Sequence, residues 1–270
     1  MTSEASYRVM PDSGMSLRES PKAQEAPRGY GWIPDVPDER DFLYSAPLET
    51  VNRLPASVSL QSRCPPVYDQ GRLGSCTANA IAAAIEYSHK PRFTPSRLFI
   101  YYNERVIEGT VDSDPGAQLR DGIKSVAIKG VCPETDCPYH IADFKRKPSA
   151  KAYADAAKTK ATQYLRISQD LVQMKGCLAS GFPFVFGFTV YEYFESTQVA
   201  KTGIVRLPTS SDKMIGGHAV MAIGYNDKTQ TFRVRNSWGP QWGQRGYFTM
   251  PYAYLMSRHL SSDFWTIRKA

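Results

Sequence analysis

The pattern of the chain changes near residue 164, and this change constrains the fold more than any other feature. Before residue 164, alanine-rich or amphipathic segments have the length and periodicity of helices. These segments are 76–87, 95–108 and 119–128. After it, short segments rich in Val, Phe, Tyr and Ile have the length of strands. They are 164–167, 184–190, 218–225, 231–236 and 247–251, with one short helix at 168–179 that Ser168 is expected to cap. The sequence therefore predicts an α+β protein with a helical half and a β half.

Residues 1–53 differ in composition from the rest of the chain. They contain six prolines, nine acidic and six basic residues, whereas residues 54–270 contain 17 acidic and 27 basic residues. An acidic segment can dock on a basic body through this charge contrast, although a solvated tail is the alternative. The aromatic cluster at 29–34 favours docking, because a solvated tail rarely carries so much aromatic surface.

Composition excludes several classes of protein. The chain has 270 residues, 42% of them apolar, which suffices for one large domain or two lobes that share a cleft. The net charge of +7 is scattered and no nucleic-acid module accompanies it, so no nucleic-acid partner is expected. No apolar run could span a bilayer and the first residues lack a secretion signal. We therefore expect a monomer without membrane contact, located in the cytoplasm or packaged in a particle rather than secreted.

Five cysteines make at least one unpaired thiol. Cys132, Cys137 and His140 have the loose spacing of part of a zinc site, but no fourth ligand is evident. A local disulfide or two free thiols is the interpretation that we prefer. The sequence predicts neither a metal nor an organic cofactor.

A glycine-rich loop leads into the first predicted helix and places Cys76 at its start. Unpaired N–H groups and the helix dipole at that end favour the thiolate, which is the nucleophilic form. The same N–H groups can stabilise an oxyanion, and Gln70 can supply a second donor from its side-chain amide. Taken alone, Cys76 would instead be interpreted as an inert buried cysteine.

Two later segments supply what a nucleophilic cysteine needs. His218 follows two glycines, the second of them Gly217, at the head of an apolar strand, so it can act as a general base. Asn236 can fix the ring and tautomer of such a base, and the Trp238 indole can cover their contact. A structural histidine and a packed turn are the alternative interpretations.

The three segments together resemble the papain and cathepsin family of cysteine peptidases, in a divergent form similar to cathepsins B and L. The order Cys, His, Asn agrees, as do the Gln-x5-Cys spacing and the run Asn-Ser-Trp-Gly-x-x-Trp-Gly-x-x-Gly-Tyr. The resemblance covers residues 54–270 and implies a two-lobe fold with the active-site cleft between the lobes. A helical left lobe would span about 64–163, and an antiparallel, β-barrel-like right lobe about 164–260.

The resemblance also implies a cysteine endopeptidase. Cys76 would be the nucleophile, His218 its base and Asn236 the residue that orients the base. The backbone N–H of Cys76 and the Gln70 amide would form the oxyanion hole. The residues expected to bind a peptide or protein substrate are Gly116, Gly217, Trp238 and Asp263.

The chain departs from the family at several positions. Leu73 replaces a cysteine and so removes half of a family disulfide, and only Gly116 represents the glycine pair of the substrate cleft. Asp263 resembles the acidic residue of cathepsin B that lies in the pocket for the second substrate residue, which implies a preference for a basic side chain there. An exposed acid in a terminal loop is the alternative. The histidine-rich loop of the exopeptidase cathepsin B is absent, so endopeptidase action is expected.

Residues 1–53 are short for a leader of this family, as in cathepsin B. The resemblance implies that they form an autoinhibitory propeptide, so that the chain is made as a zymogen. Two alternatives use the same fold: a thiol acyltransferase or ubiquitin-like deconjugating hydrolase, and an inactive papain-fold binding protein. The presence of Gln70, Cys76, His218 and Asn236 argues against an inactive protein.

Overall fold

The computed structural model describes residues 29–89 and 93–269. Within these ranges the longer helices precede residue 164 and the longer strands follow it, but three short strands lie in the first part and three helices in the second. Residues 1–28 of the acidic N-terminal segment lie outside the described residues. We call residues 29–53 the leader segment. The helices of the described residues are α1 Leu48–Val51, α2 Cys76–Ser88, α3 Arg97–Glu108, α4 Leu119–Lys129, α5 Ala150–Ala156, α6 Leu171–Ala179, α7 Thr197–Thr202 and α8 Tyr252–Met256.

The strands form one large antiparallel sheet and one short parallel pair. The strands are β1 Trp32–Ile33, β2 Ser57–Ser59, β3 Ala117–Gln118, β4 Gln163–Arg166, β5 Phe184–Tyr191, β6 Met214–Asn226, β7 Thr231–Arg235, β8 Tyr247–Pro251 and β9 Ser261–Lys269. The large sheet has the order β4-β9-β5-β6-β7-β8, and β2 pairs with the later part of β6. In the other sheet, β1 of the leader segment pairs in parallel with β3 of the helical lobe.

The large sheet does not close into the barrel-like lobe that the sequence analysis expected. Its two edge strands, β4 and β8, do not pair with each other among the described residues. Loop segments cover them instead, since Leu43 bridges to Arg166 of β4 and Ile204 bridges to Thr249 of β8. Covering an exposed edge satisfies its backbone groups, so closure is not required.

Strand β9 was missed by the sequence analysis, which ended the β lobe at residue 260. The strand lies between β4 and β5 and is buried along most of its length. Its polar first residues hide this pattern: Asp263 contacts the leader segment, and the Ser261 hydroxyl donates to the Tyr254 carbonyl oxygen. The C-terminal residues are therefore a central part of the sheet.

Helix α2 is the core element that joins the two lobes. Its first twelve residues are all buried, and it packs on β6 and β9 on one side and on α3 and α4 on the other. The alanines allow this close approach from several sides, as the sequence predicts. The helix therefore holds its N-terminal residue, Cys76, at the junction of the lobes.

Local caps set the other helix ends. Ser96 Oγ accepts from the Phe99 N–H at the start of α3, and Gly109 ends it in the left-handed conformation with φ of 71°. Asp170 rather than Ser168 caps α6, because its Oδ1 accepts from the Gln173 N–H. Among the described residues, no helix has the length and apolar character needed to cross a membrane.

Candidate active site

The thiol of Cys76 lies at the N-terminus of α2, under the leader segment. Backbone N–H groups of Ala219, Gly31 and Thr77 interact with the sulfur. Burial raises the pKa of the Cys76 thiol to about 12, although these three N–H groups lower it. With the leader segment in place, burial therefore favours the neutral thiol.

His218 of β6 and Asn236, which follows β7, form the second part of the site. His218 Nε2 lies 2.8 Å from Asn236 Oδ1, and His218 Nδ1 has no hydrogen-bond partner among the described residues. The Trp238 indole stacks on the imidazole with ring centroids 5.0 Å apart. Burial lowers the pKa of His218 to about 4, although the contact with Asn236 raises it. Burial therefore also favours the neutral imidazole.

The thiol and the imidazole are brought together by adjacent residues of β6. Ala219, whose N–H interacts with the Cys76 sulfur, directly follows His218. Helix α2 packs on β6, so the nucleophile and the base predicted from the sequence lie at the same end of α2. The structure thus groups Cys76, His218, Asn236 and Trp238 in one buried site.

The side-chain amide of Gln70 belongs to the same site. Gln70 is fully buried, and its Oε1 accepts from the Ser237 hydroxyl at 2.6 Å. Its Nε2 donates to the backbone carbonyls of Leu73 and Gly29, at 2.9 Å each. The donor that the sequence analysis assigned to an oxyanion hole is therefore occupied by a carbonyl oxygen of the leader segment.

Both glycines predicted to bind substrate contact the leader backbone. The Ala117 N–H donates to the Gly31 carbonyl oxygen at 2.7 Å. Gly116 has a φ of +90°, and a Cβ on it would lie 2.1 Å from that oxygen, so only glycine fits there. On the opposite wall, Gly217 lies beside the Trp32 carbonyl oxygen. The leader segment therefore follows the cleft between the two glycines.

Asp263 lies under the leader segment. The alternative interpretation, an exposed acid in a terminal loop, is therefore wrong. Only 2% of the residue is exposed. Its Oδ2 accepts from the Trp32 indole N–H at 3.1 Å and from the Asp35 backbone N–H at 2.8 Å, and its Oδ1 lies 3.4 Å from the Arg166 guanidinium. A Cβ on Gly187 would lie 1.8 Å from the Trp32 ring, so β5 leaves room for this indole. The pocket beside Asp263 is therefore filled by an aromatic side chain.

Several charged residues of the site were missed by the sequence analysis. Asp41 lies 2.5 Å from the Arg120 guanidinium and 3.0 Å from that of Arg166. Glu195 accepts a hydrogen bond from the Tyr30 hydroxyl at 2.5 Å. The aromatic cluster at 29–34 predicted that the leader contacts the body. No local sequence pattern predicted the residues of the body that it contacts, such as Arg120, Arg166 and Glu195.

The two cysteines with the spacing of a local disulfide or part of a zinc site, Cys132 and Cys137, form no disulfide. Cys132 and Cys137 are both free, which agrees with the interpretation as two free thiols. Among residues 29–89 and 93–269, no group of three or more His, Cys, Asp or Glu side chains is arranged to hold a metal ion. The zinc interpretation of Cys132, Cys137 and His140 is therefore not supported.

The sequence is similar to those of cysteine proteases. The family model described as "Papain family cysteine protease" matches residues 54–260. An uncharacterized peptidase C1-like protein of Acanthamoeba polyphaga mimivirus is 43% identical over an alignment of 271 positions, which covers 90% of this chain and 87% of the viral protein. Chymopapain of Carica papaya is 26% identical, with 79% of this chain and 58% of chymopapain covered.

Solved structures give the same result for the fold. Xylellain, a cysteine protease from Xylella fastidiosa, superposes with a TM-score of 0.85 and is 46% identical, covering 92% of this chain and 98% of xylellain. Digestive procathepsin L 3 of Tenebrio molitor larval midgut shares the fold, with a TM-score of 0.68 at 18% identity over 88% of this chain and 75% of that protein. The chain belongs to the papain family of cysteine proteases. The family resemblance and the α+β papain-like fold predicted from the sequence are thereby confirmed.

Proposed function

We propose that this protein is an endopeptidase in which Cys76 is the nucleophile, His218 its base and Asn236 the residue that orients the base. The observation that carries this proposal is the 2.8 Å contact of His218 Nε2 with Asn236 Oδ1. This contact occupies Nε2 of the imidazole and leaves Nδ1 available to the Cys76 thiol. The thiol and His218 lie at the same end of α2. A nucleophile, a base and a third group that fixes the base are the parts that thiol catalysis requires.

The reaction follows from these positions. Cys76 transfers its proton to His218, and the thiolate adds to the carbonyl carbon of the scissile bond. The oxyanion accepts hydrogen bonds from the Cys76 N–H and the Gln70 amide. The C–N bond then breaks as His218 protonates the leaving amine, which leaves a thioester on Cys76. Water deprotonated by His218 adds to the thioester and releases the carboxylic acid and the thiol.

A cysteine substitution tests this mechanism. Cys76→Ala should lower hydrolysis of a peptide that is blocked at both ends by at least about 10³-fold, because the residues of such a site act as a unit. Circular dichroism and thermal unfolding should be unchanged. Full activity in Cys76→Ala would reject the mechanism. Cleavage only of peptides with a free terminus would reject endopeptidase action, and transfer of the acyl group to an added amine in preference to water would favour an acyltransferase.

We propose that the protein is a zymogen inhibited by its own leader segment. Gly29 occupies the Gln70 donor with its carbonyl, and the Gly31 N–H interacts with the Cys76 sulfur. The group that the leader presents to the thiol is thus an N–H, which a nucleophile does not attack. Burial under the leader also favours the neutral forms of both Cys76 and His218, whereas catalysis needs the thiolate–imidazolium pair.

A truncation tests the zymogen proposal. A chain that begins at residue 54 should hydrolyse a blocked peptide faster than the full-length chain and should react faster with iodoacetamide at Cys76. Circular dichroism of the two chains is the control for folding. A folded truncated chain that is no faster than the full-length chain would contradict autoinhibition.

For the substrate pocket we propose that Asp263 favours a basic side chain at the second substrate position. The support is the carboxylate itself, which accepts a hydrogen bond from the Trp32 indole in the closed chain. Arg166 partly offsets its charge at 3.4 Å, so the preference for arginine over phenylalanine should be modest, about tenfold or less. The ratio of kcat/KM for peptides that differ only at this position measures it. A ratio that is unchanged in Asp263→Asn would remove Asp263 from substrate selection.

A further inference from the structure

The Tyr30 side chain of the leader segment fills a site on the wall of the cleft that carries the base. Its ring packs edge-on against the rings of His218 and Trp238, with centroids 6.2 and 6.0 Å away. Its hydroxyl donates to Glu195 Oε1 at 2.5 Å, and its Cβ lies against Gly216. The site therefore has aromatic walls, a glycine rim and a carboxylate at the end farthest from the backbone.

Glu195 is held at this position by the residue before it. It ends a single 3-10 turn, Glu192–Glu195, in which Phe194 is buried. The Phe194 ring packs against Trp238 and Trp242, with centroids 5.3 and 5.5 Å apart. The indole that covers His218 and the backbone that carries Glu195 are thus parts of one packed cluster. The distance from the ring site to the carboxylate is therefore set by the body of the protein and not by the leader.

The mechanism determines which part of a substrate enters this site. His218 protonates the leaving amine, so the residue after the scissile bond must lie next to His218 and Trp238. Tyr30 occupies that side of the nucleophile, whereas Trp32 lies on the other side, next to Gly187 and Asp263. The site walls belong to the body, so a side chain can fill the site whichever way its backbone runs.

We infer that Glu195 is a specificity-determining residue for the first residue after the scissile bond and that the site favours tyrosine. This inference rests on the proposed hydrolysis at Cys76. A tyrosine ring fits the edge of Trp238 as Tyr30 does, and only a ring with a para hydroxyl places a donor at the carboxylate. Phenylalanine makes the same ring contacts without the hydrogen bond, so it is the matched comparison. A lysine could satisfy the charge of Glu195 but would lose the ring contacts.

A binding experiment tests the site without depending on catalysis. The probe is a fluorescein-labelled octapeptide with tyrosine, phenylalanine or lysine at one central position, and its binding to the full-length chain with Cys76→Ala, Tyr30→Ala and Trp32→Ala is followed by anisotropy. The tyrosine peptide should bind about three- to tenfold more tightly than the phenylalanine peptide, the range of one hydrogen bond to an exposed charged acceptor. Adding Glu195→Gln should reduce this ratio to about one. The control Glu192→Gln, an exposed acid on the same turn, should leave it unchanged.

Equal binding of the tyrosine and phenylalanine peptides, or no binding of either, would overturn the inference. Tightest binding of the lysine peptide would also overturn it, because the site would then select charge and not a phenol. In the chain with Tyr30→Ala and Trp32→Ala and with Cys76 intact, mass spectrometry of the products should place tyrosine directly after the cleaved bond. Tyrosine-selective binding without cleavage would count against the proposed hydrolysis and not against the site. Cleavage at equal rates for tyrosine and phenylalanine would support hydrolysis and count against the selectivity of the site.

Discussion

The leader segment covers two regions of the body, and it contacts them by different means. At the proposed catalytic centre, residues 29–31 contribute backbone groups and one ring, and burial favours the neutral forms of Cys76 and His218 beneath them. In the second region the leader contributes the carboxylates of Asp35 and Asp41, and both contact Arg120 of the body. Trp32 lies between the two regions.

The second region is a network of paired charges that we call the latch, made of Asp35, Asp41, Arg120, Arg166 and Asp263. Asp41 contacts both guanidinium groups, and Asp35 accepts from the Arg120 backbone N–H at 3.0 Å. Both guanidinium groups lie over the Trp265 ring, at 5.6 and 5.5 Å, and the Trp265 indole N–H donates to Asp35 at 2.9 Å. The acidic leader thus docks on the basic body as the charge contrast of the sequence suggested.

The difference between the regions separates two tasks of the leader segment. According to the zymogen proposal, the leader covers Cys76 and occupies donors there, and this would prevent formation of the thiolate–imidazolium pair. At the latch it makes the charge-assisted contacts that retain it. If this division is correct, retention can be weakened at the latch while the groups at the catalytic centre stay unaltered.

Trp32→Ala should have the largest effect on opening because Trp32 contacts both regions. Removal of this buried ring should cost about 3 kcal/mol or more of leader docking, which corresponds to at least a hundredfold increase in the open fraction. The rate of Cys76 alkylation by iodoacetamide measures that fraction. Ile33→Ala, at the neighbouring and partly exposed position, is the matched control and should change the rate little. Equal rates in the two variants would show that Trp32 does not anchor the leader.

Asp41→Ala should have the next largest effect, since it leaves Arg120 and Arg166 without their shared partner. Breaking a buried ion pair costs several kcal/mol, but Arg166 is a quarter exposed, so we expect an increase in alkylation of about tenfold. The matched control is Asp38→Ala in the same segment. Asp38 pairs with Arg40, whose side chain is 87% exposed, and at 3.9 Å with the exposed Lys124 of the body, so its loss should have little effect. If Asp38→Ala opens the chain as much as Asp41→Ala, general charge attraction and not the latch retains the leader.

The two regions also differ in how far the sequence predicts them. The catalytic centre has local signals: a glycine-rich loop before a helix that begins at Cys76, two glycines before His218, and a run of glycines and tryptophans after Asn236. The latch has none, because Arg120 and Asp41 are 79 residues apart and each resembles an ordinary surface charge in its own segment. Strand β9 was missed for a related reason, since the environment that buries Asp263 is supplied by the leader. Charge composition predicted that the leader docks, but only the fold shows where.

Leader docking should weaken as pH rises through about 6 because of Asp35. Burial, followed by the nearby Asp263, raises the pKa of Asp35 to about 6 in the closed chain, whereas a solvated aspartate titrates near 3.9. Docking therefore takes up a proton. The stabilisation of leader docking by protonated Asp35 is fully present below about pH 4 and is lost as pH rises through about 6. We expect the open fraction to increase several-fold between pH 4.5 and 7.

Asp35→Asn isolates this titration from others in the same range. The intrinsic ionisation of the Cys76 thiol stays the same in both chains, and Glu108, whose pKa burial raises to about 7, keeps that main cause and loses only the smaller contribution of Asp35. The ratio of alkylation rates, native chain to Asp35→Asn, should therefore rise from pH 4.5 to 7. A ratio that is constant or falls would mean that the carboxyl pair of Asp35 and Asp263 does not control docking.

The smallest expected effect is the coupling between the two regions. Tyr30→Ala removes the contacts with His218, Trp238 and Glu195 at the proposed catalytic centre, and Asp41→Ala removes the contacts with Arg120 and Arg166 at the latch. Substitutions at independent sites add to within about 0.5 kcal/mol, so the double variant should increase the alkylation rate by the product of the two single effects, to within about threefold. A double variant no faster than Asp41→Ala alone would mean that the leader is released as one unit once the latch is lost. In that case the contacts of Tyr30 would be lost together with those of the latch. Covering Cys76 and retaining the leader would then not be separate tasks of the two regions.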